Sequence, residues 1–257
     1  MTSVAYSISL EAVELEQKRL ELSSLERELA EKELQLSTVR GETHYVERLF
    51  QHVVEPRYRE LGTVKAQVLD LAVKFYPKSD ELKTNADAVR EQAQGFAEEK
   101  VEEPLPPENG FKPSEHLKKL FRQVAKKIHP DLASDEKECA RRHKLMARLN
   151  RAYARMDEEE INAVLTEWEA GDPGSEELSI GARLAKMVRQ IARVRKRLWK
   201  ISSDLESLEN SEMALLKKRI DAAREEGRDL LQEMADAVDE KIISLKTRIK
   251  DLAHELG

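Results

Sequence analysis

The sequence predicts an all-α protein in which helical coiled-coil arms flank a small helical hairpin. Three observations predict it. All eight prolines lie between Pro56 and Pro173, so residues 1–55 and 174–257 are long runs without a helix breaker. Charged residues make up 37% of the 257 positions and aromatic residues only 5%. That is too little aromatic volume for one large core, which excludes an all-β fold or a large α/β enzyme. Apolar residues in both arms recur three and four positions apart, the spacing of a helix with one buried stripe.

The N-terminal arm covers residues 1–101. Ile8, Leu15, Leu22, Leu29, Leu36 and Phe50 fall on one heptad position, and Leu25, Val39, Val46 and Val53 lie three residues after members of that series. Glu11, Lys18 and Lys32 interrupt the second set, and Leu20 and Leu34 stand off the seam. The stripe is therefore wider than two strands need, which points to a bundle or hairpin. Pro56 breaks or kinks the run. Leu61, Val64, Val68, Leu71 and Phe75 mark a second helix, expected to fold back antiparallel on the first. Ser79 or Asp80 is placed to cap a third helix reaching about Lys100. Residues 102–112 hold Pro104, Pro106 and Pro107 and read as a stiff linker.

Residues 113–170 form the central module. Between 111 and 157 there are thirteen Lys and Arg against six Asp and Glu, a basic island in a chain of net charge −6. Ser114 is the expected N-cap of a helix that places Leu117, Leu120, Phe121, Val124, Ala125 and Ile128 on one face. Lys118, Lys119, Arg122 and Lys126 occupy the others. Pro130 ends the helix, because the residue before a proline avoids the α region. After a polar loop, Leu145, Met146, Leu149, Ala152, Tyr153 and Met156 mark the facing helix of an antiparallel pair.

The C-terminal arm, 175–257, carries two seams, Leu184 to Leu208 and Val238 to Leu256, out of register near Asn210-Ser211 and weakened at Gly227. Either one helix of about 80 residues, ~120 Å long, runs through, or the arm turns near Asn210 and folds its two seams onto each other. The hairpin is the preferred form, and a homo-oligomer through the arms is the other way to cover the stripes.

The stretch Leu117–Leu132, LKKLFRQVAKKIHPDL, resembles the second helix and His-Pro-Asp loop of the J-domain, the module that defines DnaJ-type co-chaperones. Asn150-Arg151-Ala152-Tyr153 resembles its third helix, and Asp157–Trp168 sits where a fourth would pack. The resemblance covers about a quarter of the chain and implies docking on a DnaK-type (70-kDa heat-shock) chaperone, with stimulation of its ATPase. It assigns the loop His129, Pro130 and Asp131 to that stimulation. To the meeting with an acidic surface of the ATPase it assigns the basic residues Lys118, Lys119, Arg122, Lys126 and Lys127. A basic face speeds encounter with an acidic partner. The sequence departs from the family in two places. No Tyr-x-x-Leu-Gly helix stands just before residue 113, and Gln123 replaces a residue that is often basic. The Tyr58–Gly62 match lies more than fifty residues too early and reads as chance.

Other constellations point to no enzyme. There is no Gly-rich phosphate loop, no Ser/His/Asp set and no pair of catalytic carboxylates, so neither cofactor nor metal is expected. The single cysteine, Cys139, excludes an intrachain disulfide and a cysteine-based zinc site. His129, Asp131 and His143 match no metal-ligand spacing, and the plain reading of His129 is a helix-terminal histidine. No run of 18 uncharged apolar residues exists, so no membrane span is expected. Glu11, Glu14 and Glu16 argue against a signal peptide, and a cytoplasmic location is expected. Residues 181–200 hold eight Lys and Arg and no acid. They suit nucleic acid, an anionic membrane surface, or pairing with an acidic helix such as Glu11–Glu33 of the same or a second chain; the pairing is preferred, and nucleic acid is not expected as a partner. Two rival functions stand beside the co-chaperone. One is a coiled-coil scaffold whose J-like module does not stimulate, and the other a nucleic-acid-associated protein using 181–200.

Overall fold

The computed structural model describes residues 10–76, 79, 84–85, 87–88, 110–133, 135–170 and 179–256. The expected third helix after Ser79 and linker residues 102–109 lie essentially outside them. Every regular element among the described residues is helical. In chain order these are α1 (Leu10–Val53), α2 (Glu55–Phe75), α3 (Glu115–Ile128), a 3-10 turn (Pro130–Leu132), α4 (Glu136–Ala154), α5 (Glu158–Glu169), α6 (Ile180–Glu209), α7 (Glu212–Glu225) and α8 (Leu230–Leu256). The chain forms two compact units, each built from separate stretches: Met1–Glu42 with Phe111–Ser211, and Thr43–Gly110 with Glu212–Gly257.

The first unit holds the central module. Ser114 Oγ accepts the Leu117 N–H at 3.0 Å, capping α3 as its sequence predicts. Asp135 and Asp157 cap α4 and α5 in the same way, through Glu138 N–H at 2.8 Å and Glu160 N–H at 2.9 Å. All six expected apolar residues of α3 are buried, as are Leu145, Met146, Leu149, Ala152 and Tyr153 of α4 and Ile161 and Val164 of α5. Phe121 and Tyr153 are fully buried, with ring centroids 4.8 Å apart. Phe111 meets Tyr153 edge-on at 5.9 Å.

This core is completed by α1. Leu34, which stands off the heptad seam, is buried in it, and Thr38 Oγ1 lies 2.9 Å from the Tyr153 hydroxyl. Gly41 makes room for the ring of Phe111, since a Cβ there would overlap the ring. On its other side α1 presents Leu22, Leu29 and Leu36 to Ile191, Val194, Ile201 and Leu205 of α6. Burial of each such side chain contributes roughly 1.5–3 kcal/mol. The wide stripe of α1 thus serves two surfaces, the hairpin core and α6.

In the second unit α2 packs on α8, through Leu61 and Val64 against Val238 and Ile242. Val46 and Val54 join Leu216 of α7 and Leu231 of α8 in a second cluster. The turn between α7 and α8 runs through Gly227 at φ +73°, a left-handed conformation that suits glycine.

Two expectations are corrected here. The chain does not reverse at Pro56. Val54 keeps helical torsions (φ −101°, ψ −44°), and its N–H still bonds the Phe50 carbonyl at 2.9 Å. Pro56 occupies the first turn of α2, where a missing N–H costs nothing. The C-terminal arm is neither one rod nor a hairpin of its two seams. It breaks at both Asn210-Ser211 and Gly227, and its seams bury against α1 and α2 respectively. A seam is satisfied by any helix with a matching stripe, and the N-terminal arm supplies both. No helix among the described residues is long and apolar enough to cross a membrane.

Candidate functional site

The site is the turn at the end of α3. His129 closes α3 and caps the 3-10 turn that follows. Its Nδ1 accepts the Asp131 N–H at 3.2 Å, and its Nε2 lies 3.1 Å from Glu33 Oε1 of α1. A backbone N–H on one nitrogen and a carboxylate on the other fix the tautomer: the proton sits on Nε2 and is donated to Glu33. Arg197 of α6 donates to the same oxygen, Nε at 2.7 Å and Nη2 at 2.6 Å. His129 and Glu33 are each 2% exposed. Burial alone would raise the Glu33 pKa, but the His129 hydrogen bond and the positive charge of Arg197 outweigh it and hold the carboxyl below its ordinary value.

Arg142 of α4 secures the other side of the turn. It is buried, and its Nη1 donates to the carbonyls of Lys127 at 2.9 Å and His129 at 3.1 Å. Those carbonyls lie at the C-terminal end of α3, which favours a cation, and the His129 carbonyl also accepts the Leu132 N–H at 3.1 Å. Glu138 Oε1 holds the guanidinium at 2.7 Å, and the Trp168 ring lies 4.5 Å from it. Beyond the turn, Gln190 Nε2 and Arg193 Nη2 of α6 donate to the carbonyls of Leu132 and Ala133, both at 2.8 Å. The turn is therefore held by α1, α4 and α6 at once. Pro130 is buried with His129, and the Asp131 carboxylate remains partly exposed.

The five basic residues the resemblance assigns to α3 stand around its outer faces. Arg122 pairs with Glu31 at 3.2 Å and Lys126 with Glu26 at 3.9 Å, both acids of α1. Burial beside α3 raises the Glu26 pKa, the charges of Lys126 and Arg142 opposing it. Lys118 pairs with Glu115 at 2.7 Å and Lys127 with Glu169 at 2.6 Å. Lys119 is exposed and makes no ion pair among the described residues. The preferred pairing of the 181–200 stretch with an acidic helix is found within the unit: Arg195 meets Glu21 at 2.6 Å, as Arg197 meets Glu33.

An open cleft of about 840 Å³ lies beside the turn, with His129, Pro130, Asp131 and His143 on one side and Arg193, Lys196, Arg197 and Lys200 of α6 on the other. Among the described residues no group of three His, Cys, Asp or Glu is placed to hold a metal ion. Sequence reasoning missed Glu33, Arg142 and Arg197 as parts of the site. For two of them a signal exists. With Leu15, Leu29 and Ile191 taken as a positions, Glu21 and Arg197 fall at g and Glu33 and Arg195 at e. Those are the flanking positions at which coiled coils place interhelical salt bridges.

Compared with family models, with curated proteins and with solved structures, the chain matches none.

Proposed function

We propose that this protein is a co-chaperone that docks its His129-Pro130-Asp131 turn on a DnaK-type ATPase and accelerates ATP hydrolysis. One observation carries the reading. The turn ends a capped, basic, amphipathic helix and is preorganised from three directions, with the Asp131 carboxylate at the edge of an open cleft. Preorganisation of a recognition turn lowers the ordering cost of binding. In this arrangement His129 acts through Asp131: its Nδ1 holds the Asp131 backbone N–H and so sets where that carboxylate points. Residues of α1 cover the hairpin core and supply the packing that an adjacent helix one would otherwise provide.

The test is steady-state ATP turnover of a DnaK-type chaperone with and without the full chain. Wild type is expected to accelerate turnover, and Asp131→Asn, an isosteric change at a partly exposed site, to lose the acceleration with helicity unchanged. A second reading, a scaffold whose module does not stimulate, is favoured by the internal pairing of Arg122 and Lys126 with α1 and by the burial of His129. It takes over if wild type leaves turnover unchanged.

A further inference from the structure

The cations around the turn fall into two groups with different availability. On α3, Arg122, Lys126, Lys118 and Lys127 each already face a carboxylate, and of the five assigned cations Lys119 alone makes no ion pair among the described residues. On α6, Arg193, Lys196, Arg197 and Lys200 follow the i, i+3, i+4, i+7 spacing of one helix face, and that face borders the cleft. Arg193 is bonded to the Ala133 carbonyl and Arg197 to Glu33. Lys196 and Lys200 are exposed and make no ion pair or hydrogen bond among the described residues. Between them Trp199 is 72% exposed, although the apolar stripe of α6 (Ile191, Val194, Ile201, Leu205) is buried elsewhere. Most of that ring therefore lies outside the packed core, at the lining of the cleft. Tryptophan is among the residue types enriched at interaction hot spots, and the flanking lysines supply charge that steers an acidic partner.

We infer that the partner-docking surface of the turn lies on α6, where Lys196, Lys200 and Trp199 receive an acidic segment of the chaperone beside Asp131. This rests on the co-chaperone reading and relocates its electrostatic contact from α3 to a helix outside the J-like module. Glu33 is matched by Arg197; of the other charges that line the cleft, Arg193, Lys196 and Lys200 outnumber Asp131 and Asp204, the latter on α6 one turn beyond Lys200, so the remaining charge is positive. The two free lysines are one helical turn apart, about 6 Å. That spacing suits a short acidic peptide segment with an apolar residue to set on the indole. A nucleic-acid backbone draws affinity from a longer row of unpaired cations.

The experiment measures binding of the ATP-bound DnaK-type chaperone to the full chain at several salt concentrations, together with ATPase stimulation. Lys196→Glu combined with Lys200→Glu is expected to weaken binding about tenfold or more and to flatten its salt dependence, and Trp199→Ala to weaken it about tenfold. Both losses should exceed that of Lys119→Glu on α3. Lys196→Arg with Lys200→Arg should retain binding. All four positions are exposed, so thermal unfolding should be unchanged. Wild-type stimulation with unaltered binding by the α6 variants overturns the inference and leaves the co-chaperone reading standing. No binding or stimulation by wild type overturns both. Binding of a single-stranded oligonucleotide at physiological salt that is lost in the double lysine variant assigns the surface to nucleic acid and overturns the inference as well.

Discussion

The two units solve the same problem with different materials. In each, a stripe of the N-terminal arm covers a stripe of the C-terminal arm: α1 with α6 in the first, α2 with α8 in the second. The first unit adds a three-helix core under α1 and places charge inside. Glu33, Ser37, His129 and Arg142 are the buried polar residues among those described, and all four belong to it. The second unit joins its helices with apolar side chains and with surface pairs such as Lys246 with Glu60 at 2.6 Å. Apolar stripes give stability and little selectivity. Buried charge costs desolvation, and it is affordable only with satisfied partners. The difference teaches where the chain requires one particular geometry, and that place is the turn at His129.

The largest test of this contrast is core truncation. Phe121→Ala, at the centre of the helical hairpin, should cost about 3–5 kcal/mol, and Ile242→Ala, on the α2–α8 seam, about 2–4 kcal/mol. Urea unfolding followed by hydrogen exchange assigns each loss to its unit. Equal losses shared by both units from either variant would mean that they do not differ as described. A smaller effect comes from two helical glycines. Gly→Ala inside a helix ordinarily stabilises by up to about 1 kcal/mol. Gly181 has open space around it and should follow that rule, whereas at Gly41 the new methyl meets the Phe111 ring. Gly41→Ala should therefore destabilise by about 1–3 kcal/mol, and stabilisation there would show that Phe111 is not seated against α1. The smallest effect is on pH. The Glu33 carboxyl is depressed in the folded state, so its contribution is fully present above its unfolded pKa and is lost as pH falls through the folded value. Arg197 keeps some contact with solvent, with 28% of its side chain exposed, which limits the loss. As pH falls from about 5 to about 3, amides of α1 around Glu33 should lose protection, after correction for intrinsic rates, before those of α2 around Leu61. Glu33→Gln should remove the step, and its persistence in that variant would assign it to another group.

The hairpin was legible because its signals are local. Ser114, Pro130 and the apolar face of α3 lie within one short stretch and act on their own neighbourhood. The width of the α1 stripe was legible too, and Leu34, the residue off the seam, turned out to be the one that enters the hairpin core. The choice of partner was not legible. The 3–4 spacing of Leu184 to Leu208 states that a helix needs cover, and any matching stripe satisfies it. The two seams of the C-terminal arm therefore looked suited to each other although each pairs with the N-terminal arm. Glu33 was lost among many glutamates, since burial is decided by the neighbours that folding brings from 164 residues away.

That interleaving sets an order of assembly. The oxygen of Glu33 waits for Arg197, and Glu60 waits for Lys246, 186 residues later. During synthesis the leucines of α1 leave the ribosome long before α6 exists to cover them, while the hairpin from Ser114 to Glu169 can gather its own short-range contacts at once. All-helical proteins usually fold on neighbouring contacts and fast. Here the arms close only when the last third of the chain has emerged, so the nascent N-terminal helix is a stretch of exposed leucine that must be kept from other chains in the meantime.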